Sequence, residues 1–212
     1  MRGIRRKKGI APQGKAPILL DTLREMVAAM PDDRRGLQDK AILLVGFAGA
    51  FRRSELVGLT VTDVRFVDEG MILHLHRSKT DQEGEGFSKG LPYGENEATC
   101  PVRALRRWLD TANITSGPLF RPIDRHGNVG MSALHAQGVV RAIKRAATLV
   151  GLDADDLSGH SLQAGLVTAA AQSGVSERVI MAQTGHKDVR TVRRYIREGS
   201  LFRENAARMV GL

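Results

Sequence analysis

A single apolar stretch limits the fold of this chain more than any other part of its sequence. Residues 41–51 read AILLVGFAGAF and are apolar on every side of a helix, so this helix must be buried all round. A chain of 212 residues with 42% hydrophobic residues can supply the surrounding core. Arg52 and Arg53 follow directly, and an arginine beside so apolar a segment is costly unless it holds an anion. Pairing with Glu55 or capping of the helix end is the alternative, and both stay open at this point.

The segments on either side of this helix predict a mainly α fold with one small antiparallel β-sheet (α+β). Apolar residues recur at helical spacing from Leu23 to Met30, and Asp21 is the expected N-cap of that helix. VRFV and MILHLH alternate with period 2 on either side of the turn residues DEG, which predicts a hairpin. The sequence FSKGLPY predicts a third strand.

The second half of the chain is predicted to be helical. One helix is expected over PVRALRRWLDTA and another over residues 132–150, with Ser132 as its N-cap and Gly151 at its C-terminal end. Shorter helices are expected at about 161–173, 176–184, 188–196 and 201–211.

Composition excludes several classes of protein and favours one class of partner. Cys100 is the single cysteine, so neither a disulfide framework nor a cysteine metal site can form within the chain, and a reducing cytoplasm is expected. No apolar run approaches the roughly 18 residues that span a membrane. The formal net charge is +9, and residues 1–16 hold six basic residues and no acidic one. Such a basic arm favours nucleic acid as partner, although a tail that only aids solubility has the same composition.

Four places combine ionisable residues with an apolar neighbourhood, and each has an ordinary structural explanation when taken alone. They are Arg52, Lys79 at the predicted hairpin tip, His160 with Gln163 one helical turn later, and His186 nine residues before Tyr195. A lysine at a turn is usually only solvated, Ser161 can be a helix cap, and His160 can be bonded into the core. Tyr195 stands among arginines, where it is either a surface residue or a nucleophile near a phosphate.

Taken together, these elements resemble the tyrosine recombinase (phage integrase) family, and among its members the Cre recombinase group most closely. The resemblance covers about residues 17–200. It rests on GFAGAFRRSELVGL, SGHSLQAG, QTGHKDVRTVRRYI and the basic stretch before LLDTLREM. It implies the fold of the family's DNA breaking-rejoining catalytic domain and a reaction that uses no metal and no other cofactor.

The resemblance implies a role for each matching residue. Tyr195 attacks the scissile phosphate and forms a 3′-phosphotyrosyl link, which releases a 5′-hydroxyl. Arg52 stabilises the transition state, and Lys79 protonates the leaving oxygen. His160 handles a proton or supports the phosphate, and His186 hydrogen-bonds it. These roles fit the chemistry, because negative charge builds up on the equatorial phosphate oxygens in the transition state and fixed donors lower its energy.

Gln163 departs from the family pattern, in which the motif is H-x-x-R and a second clamp arginine would stand at this position. An amide is a donor without charge and without the bidentate fork of arginine. The loss of one such donor typically costs about 2.7–4 kcal/mol, or roughly 10²–10³ in rate. An engineered change that traps a DNA complex is the favoured explanation, because the other catalytic positions match. A homologue that binds without cutting, and a tolerated variant in which a group such as Arg53 compensates, stay open.

The predicted helix 132–150 has an apolar face and a basic face, and in the family a helix at this place enters the major groove. His135 and Gln137 are candidate base readers near its start. The remaining candidate DNA-binding residues are basic and are expected mostly on phosphates: Arg5, Arg6, Lys7, Lys8, Arg141, Lys144, Arg145 and Arg193. A solvated basic face without a ligand is the alternative.

The resemblance also implies an organisation and partners. Residues 1–16 are expected to be a basic interdomain linker, 17–200 the catalytic domain, and 201–212 a C-terminal helix that docks on a neighbouring protomer or on its own domain. The family's N-terminal core-binding domain is expected to be absent, which would weaken DNA affinity. Double-stranded DNA is the expected partner, and no membrane is expected. A homotetramer on DNA is the expected assembly, with a monomer as the alternative for the isolated domain. The expected location is the cytoplasm of a prokaryote, in association with the nucleoid, or a phage or mobile-element context.

The leading functional hypothesis is therefore site-specific DNA recombination, such as integration or excision, with cleavage impaired by Gln163. A non-catalytic DNA-binding homologue is the second hypothesis. A type IB topoisomerase-like enzyme, which relaxes supercoils by similar chemistry, is the third.

Overall fold

The computed structural model describes residues 15–76, 86–185, 189, 192–193 and 195, and these residues form an α+β fold, as predicted. The helices within these ranges are α1 (Leu20–Ala29), α2 (Arg34–Ala48), α3 (Arg53–Gly58), α4 (Pro101–Thr111), α5 (Ala136–Leu149), α6 (Ser161–Gln172) and α7 (Glu177–Thr184). The strands are β1 (Val64–Val67), β2 (Gly70–Leu75) and β3 (Phe87–Pro92). Short 3-10 turns lie at Val61–Asp63, Glu97–Thr99 and Ala154–Asp156.

Helix α2 lies at the centre of the core, as its all-round apolar sequence predicts. Every residue from Ala41 to Phe47 is buried. Helices α1, α4, α5 and α6 all pack against it, so each side of the helix has an apolar neighbour. The end of α2 is therefore held in place from several directions, and the chain that leaves it starts from a fixed point.

The sheet is antiparallel with the order β1-β2-β3, which confirms the predicted hairpin and third strand. Val67 pairs with Gly70 across the Asp68–Glu69 turn, and Leu75 pairs with Phe87 across the second connection. One face of β2 and β3 turns to the core, where Leu73 and its partner Lys89 are both buried. The core-facing side of the sheet therefore carries a buried charged residue in addition to apolar side chains.

Two of the predicted helix caps are wrong because hydrogen bonds to distant residues hold the preceding chain extended. Helix α1 follows Leu19, not Asp21, because the amide of Ile18 donates to the Ser161 carbonyl at 3.0 Å and the chain becomes helical directly afterwards. Helix α5 begins at Ala136 and not at Ser132. The amide of Leu134 donates to the Phe120 carbonyl at 2.8 Å, so His135 becomes the N-cap and its Nδ1 accepts from the Gln137 amide at 3.2 Å. Gly151, with φ +73°, ends α5 as predicted.

Helices α2 and α6 approach each other closely through glycines. A methyl group on Gly46 would lie 2.9 Å from Cδ1 of Leu162, and one on Gly165 would lie 1.9 Å from the carbonyl oxygen of Ile18. The ring of Phe47 lies 3.0 Å from the same position on Gly165. These contacts fix the rotation of α6, and with it the direction in which its first turn presents polar side chains.

Several predicted segments lie partly or wholly outside the described residues. They are the linker 1–16, the hairpin tip, the helix 188–196 and the helix 201–211. Within 188–196, the described residues Val189, Val192, Arg193 and Tyr195 are helical. No helix in the described ranges is long and apolar enough to cross a membrane.

The close approach at Gly165 predicts a loss of stability on substitution. Gly165→Ala should lower the free energy of unfolding by about 1–3 kcal/mol, because the backbone of Ile18 must move. Gly58→Ala is the matched control, since Gly58 is also helical and nothing lies within 4 Å of its added methyl group. It should leave stability unchanged or raise it by up to about 1 kcal/mol. Urea unfolding followed by circular dichroism measures both, and equal stabilities for the two variants would contradict the close packing of Gly165 against Ile18 and Phe47.

Candidate functional site

Arg52 leaves the core at a tight turn after α2. The amide of Ala50 donates to the Phe47 carbonyl and that of Phe51 to the Gly46 carbonyl, both at 3.0 Å, which together form a Schellman motif. Ala50 has φ +46°, in the left-handed region that glycine usually occupies at this place. Phe51 is 1% exposed, so its burial holds the turn in this shape and fixes where Arg52 begins.

Glu55 braces Arg52 through two hydrogen bonds. The guanidinium Nη1 of Arg52 donates to Oε1 of Glu55 at 2.7 Å, and the Arg52 amide donates to Oε2 at 2.9 Å. The Glu55 side chain is 5% exposed and that of Arg52 is 19% exposed. Of the two explanations that the sequence left open, pairing with Glu55 is present, and it orients the guanidinium without burying it completely.

The first turn of α6 carries His160 and Gln163. His160 is exposed and is the N-cap of the helix, while Ser161 does not cap it, because its hydroxyl accepts from the Ser158 amide at 2.9 Å. Gln163 is 7% exposed, and its Nε2 is a buried side-chain donor without a hydrogen-bond partner among the described residues. Native proteins rarely leave a buried donor unpaired, so this nitrogen is a candidate to bind a ligand oxygen.

Lys89 is a polar residue of this region that the sequence analysis missed. It is 3% exposed, and its Nζ donates to the Gly49 carbonyl at 2.5 Å. The same nitrogen lies 4.7 Å from the ring centroid of Phe51 and 5.4 Å from that of Phe87. Burial lowers the pKa of Lys89 to about 8, with Glu55 opposing and Arg52 adding to the shift. Strand alternation could have identified it from the sequence, because Lys89 stands two residues from Leu91 and therefore lies on the same buried face of the strand.

The end of α7 meets the same turn. Nε2 of Gln183 donates to the Ala48 carbonyl at 2.8 Å, which adds a second side chain that binds the C-terminal end of α2. Gly185 ends α7 with φ +67°, and a methyl group there would lie 3.5 Å from the ring of Phe87. His186 follows Gly185 but lies outside the described residues.

Tyr195 is half-buried and packs against a small apolar cluster of its own. The cluster consists of Val167 on α6, Ile180 on α7, and Val192, with Met181 at its edge. Tyr195 is thereby tied to α6 and α7, the two helices that carry Gln163 and lead to His186.

The base of the predicted catalytic hairpin is fastened by a buried carboxylate. Asp63 accepts from Nε2 of His76 at 2.6 Å and from the hydroxyl and amide of Thr60 at 2.7 and 2.8 Å. Burial would raise the pKa of Asp63, but the hydrogen bonds from Thr60 and His76 outweigh it and lower the pKa. Lys79, three residues beyond His76, lies outside the described residues, so its place in the site stays a prediction.

The candidate DNA-binding residues differ in their exposure and in whether they form ion pairs with other residues of the chain. His135, Gln137 and Arg141 are exposed. Three others carry ion pairs, at 2.5 Å for Lys144 with Asp155, 2.8 Å for Arg145 with Asp39 and 3.0 Å for Arg193 with Glu177. Residues 5–8 lie outside the described residues. DNA contact by any of them stays a prediction.

Arg53 links the candidate base-reading helix to the loop before His160. Its Nη1 lies 3.5 Å from Oε1 of Gln137, and its Cδ would lie 3.1 Å from a methyl group on Gly159. Arg53 therefore does not lie apart from the site, and its side chain runs between α5 and the start of α6.

The pair of Arg145 with Asp39 predicts that Arg145 contributes to stability. Two bonds of 2.8 and 2.9 Å join the guanidinium to a carboxylate that is 4% exposed, and burial raises the pKa of Asp39. Arg145→Met should lower the free energy of unfolding by about 1–3 kcal/mol at pH 7, because it leaves a buried charge unpaired. The loss should shrink toward pH 4, since a raised carboxyl pKa favours the protonated, uncharged form there.

Urea unfolding at the two pH values measures this effect. Lys144→Met is the matched control, because its partner Asp155 is fully exposed and little change is expected. An equal loss in both variants, or a loss independent of pH, would contradict the role given to Asp39.

Comparisons with a family model and with known proteins all identify the same family. The model of the phage integrase family matches residues 18–200. The chain is 44% identical over 208 residues to the integrase/recombinase xerD homolog of Selenomonas ruminantium, covering 97% of this chain and 61% of that protein. It is 31% identical over 163 residues to the tyrosine recombinase XerD of Yersinia pestis, covering 75% of this chain and 49% of that protein. The chain thus spans between about half and three-fifths of the length of these relatives.

Solved structures show the same fold. The XerH site-specific recombinase, bound to a palindromic difH substrate in a post-cleavage complex, matches with a TM-score of 0.71 and 16% identity, over 93% of this chain and 54% of that one. The XerA recombinase matches with a TM-score of 0.67 and 20% identity, over 91% and 66%. These similarities confirm the predicted fold of the family's catalytic domain. Closeness to the Cre group stays a prediction.

Proposed function

This chain belongs to the phage integrase family of tyrosine recombinases, and we propose that it carries out the cleavage and rejoining steps of site-specific DNA recombination. Tyr195 attacks the scissile phosphate, forms a 3′-phosphotyrosyl bond and releases the 5′-hydroxyl, and rejoining reverses these bonds with a partner strand. The observation that carries the proposal is the buried Nε2 of Gln163, which has no hydrogen-bond partner among the described residues and can therefore donate to an acceptor such as a phosphate oxygen.

The proposed clamp consists of Arg52, His160 and Gln163 around the phosphate. Arg52 contributes the charge and is held ready by Glu55, so it need not reorganise when the transition state forms. Gln163 contributes a neutral donor, and His160, exposed at the start of α6, supports the phosphate or handles a proton. Lys79 and His186 complete the proposed set by resemblance to the family.

We propose double-stranded DNA as the partner. The solved XerH structure is bound to its difH substrate, and a solved lambda integrase dimer is bound to a COC′ core site. The basic composition of the chain and the exposed start of α5 support the same partner here. A homotetramer on DNA and a place at the nucleoid belong to the same proposal by resemblance to the family, and the bacterial relatives support the bacterial cytoplasm as its setting.

Gln163 favours impaired cleavage within this proposal. An amide supplies one donor where arginine would supply charge and two parallel hydrogen bonds to the phosphate oxygens. Gln163→Arg should therefore raise the rate of covalent DNA attachment by roughly 10²–10³. Gln163→Arg combined with Tyr195→Phe should form no attachment, since the nucleophilic oxygen is gone.

End-labelled duplexes measure this rate. A target site is first selected from random-sequence duplexes by gel shift, and a nick is placed beside the candidate scissile phosphate to trap the product. The adduct is read as a shifted band on a denaturing gel. Equal rates for the two residues at position 163 would show that the amide is a sufficient clamp. Bound DNA without an adduct from either protein would instead favour the non-catalytic homologue, and relaxation of a plasmid without the site would favour the topoisomerase-like alternative.

Salt dependence tests the DNA surface separately. Arg141 is exposed and has no ion pair with described residues, whereas Arg145 is committed to Asp39. Arg141→Gln should reduce the steepness of the fall of log K with log salt by about 0.9, the value for one lost phosphate contact. Fluorescence anisotropy of a labelled duplex between low and moderate salt measures the slope. An unchanged slope would remove Arg141 from the phosphate-binding surface.

A further inference from the structure

We propose that Lys89 is a positioning residue for Arg52, fixing the turn between α2 and α3 from which Arg52 extends. This inference rests on the proposed function only for its effect on DNA cleavage.

The burial of Lys89 is the first observation that calls for an explanation. Lysine is almost never fully buried unless paired, and this side chain is 3% exposed in the middle of β3, opposite Leu73. A lysine that only held the sheet to the core could be an apolar residue at lower free-energy cost, because a buried charge loses its hydration. The function of the cation should therefore be sought in the contacts that its ammonium group makes.

The hydrogen bond of Lys89 and its nearer ring contact lie on the turn that precedes Arg52, while its more distant ring contact is with Phe87 on the same strand. The Nζ atom donates to the carbonyl of Gly49, the C-cap residue of α2, where a cation also interacts favourably with the helix dipole. It lies over the ring of Phe51, the residue directly before Arg52. One side chain thus fixes the backbone and the anchor residue of the turn, in which Ala50 already has a strained positive φ.

The charges around Lys89 make this hold depend on pH. Among the described residues, Glu55 on α3 and Arg52, the N-cap of α3, are the charged groups that act on its ammonium, the first in favour of the charged form and the second against it. The other contacts come from Gly49, Phe51 and Phe87, which carry no charge. With a pKa of about 8, Lys89 is mostly charged at neutral pH and loses the cation–π and dipole interactions above pH 8.

Stability and activity should therefore respond oppositely to removal of the charge. A depressed lysine pKa means that the charged form opposes folding, and this penalty disappears as the pH rises from about 8 to the unfolded value. Lys89→Met should accordingly leave the melting temperature unchanged or raise it. A purely structural lysine would give the same result and leave the cleavage rate alone, whereas a positioning residue would not.

Two readouts test the inference on the whole chain. The first is the ¹⁵N-resolved Nε–H signal of Arg52, identified by its loss in Arg52→Lys, which should shift or broaden in Lys89→Met. The second is the single-turnover adduct rate on the nicked duplex from pH 6.5 to 9.5. At neutral pH this rate should be about 10–100-fold lower in Lys89→Met than in the wild type, with the dissociation constant for DNA changed by less than about threefold. Lys40→Met is the matched control, because Lys40 lies on α2 and pairs with Asp32 on the surface.

Lys89→Arg keeps the charge and does not titrate, so it serves if Lys89→Met fails to fold. Relative to this variant, the wild-type rate should fall above pH 8, and superimposable pH profiles would overturn the inference. So would an Arg52 signal or a cleavage rate in Lys89→Met that equals the wild type. If neither the wild type nor Gln163→Arg forms an adduct, the proposed cleavage function fails, and the Arg52 signal alone decides whether Lys89 positions the arginine.

Discussion

The carbonyl groups at the C-terminal end of α2 are the constraint on which the rest of the site depends. A helix leaves its last carbonyls without partners inside the helix, and here the turn itself satisfies those of Gly46 and Phe47 but not those of Ala48 and Gly49. Gln183 binds the carbonyl of Ala48 from α7, and Lys89 binds that of Gly49 from β3. Elements far apart in the sequence thus meet because one helix end needs donors, and Arg52 extends from the point where they meet.

Burial of an apolar side chain offsets the backbone strain of this turn. The left-handed conformation of Ala50 costs roughly 1–2 kcal/mol for a residue with a side chain. Phe51 is almost completely buried beside it, and burial of a side chain of this size stabilises by about 1.5–3 kcal/mol. The two terms are of similar size and opposite sign, so the turn persists because its anchor is buried. This explains why an arginine can stand directly after the most apolar helix of the chain.

The sequence predicted the elements of the fold because hydrophobic periodicity reports burial directly, and it failed where long-range contacts decide. Ser132 is a good cap by local chemistry, yet the bond from Leu134 to Phe120 delays the start of α5. Arg145 is a plausible phosphate ligand by its helical face, yet its partner Asp39 is 106 residues away in the sequence. Lys89 was missed because a lysine in a strand is assumed to face solvent, although alternation with Leu91 places it on the buried face. Of the site predicted by resemblance, the described part contains Arg52, His160, Gln163 and Tyr195, and no local pattern shows whether the remaining members join them.

Gln163 illustrates why stability and clamp strength oppose each other in such a site. Among the described residues around this turn, Lys89 and Arg52 already set two positive charges against the carboxylate of Glu55. An arginine at position 163 would add a cation at a place that is 7% exposed and offers no described partner even to the amide nitrogen now present. Without DNA, such a buried charge is strongly destabilising, whereas a bound phosphate would compensate it. Glutamine leaves the free protein without that uncompensated charge, and the same property removes the charge that would act on the transition state.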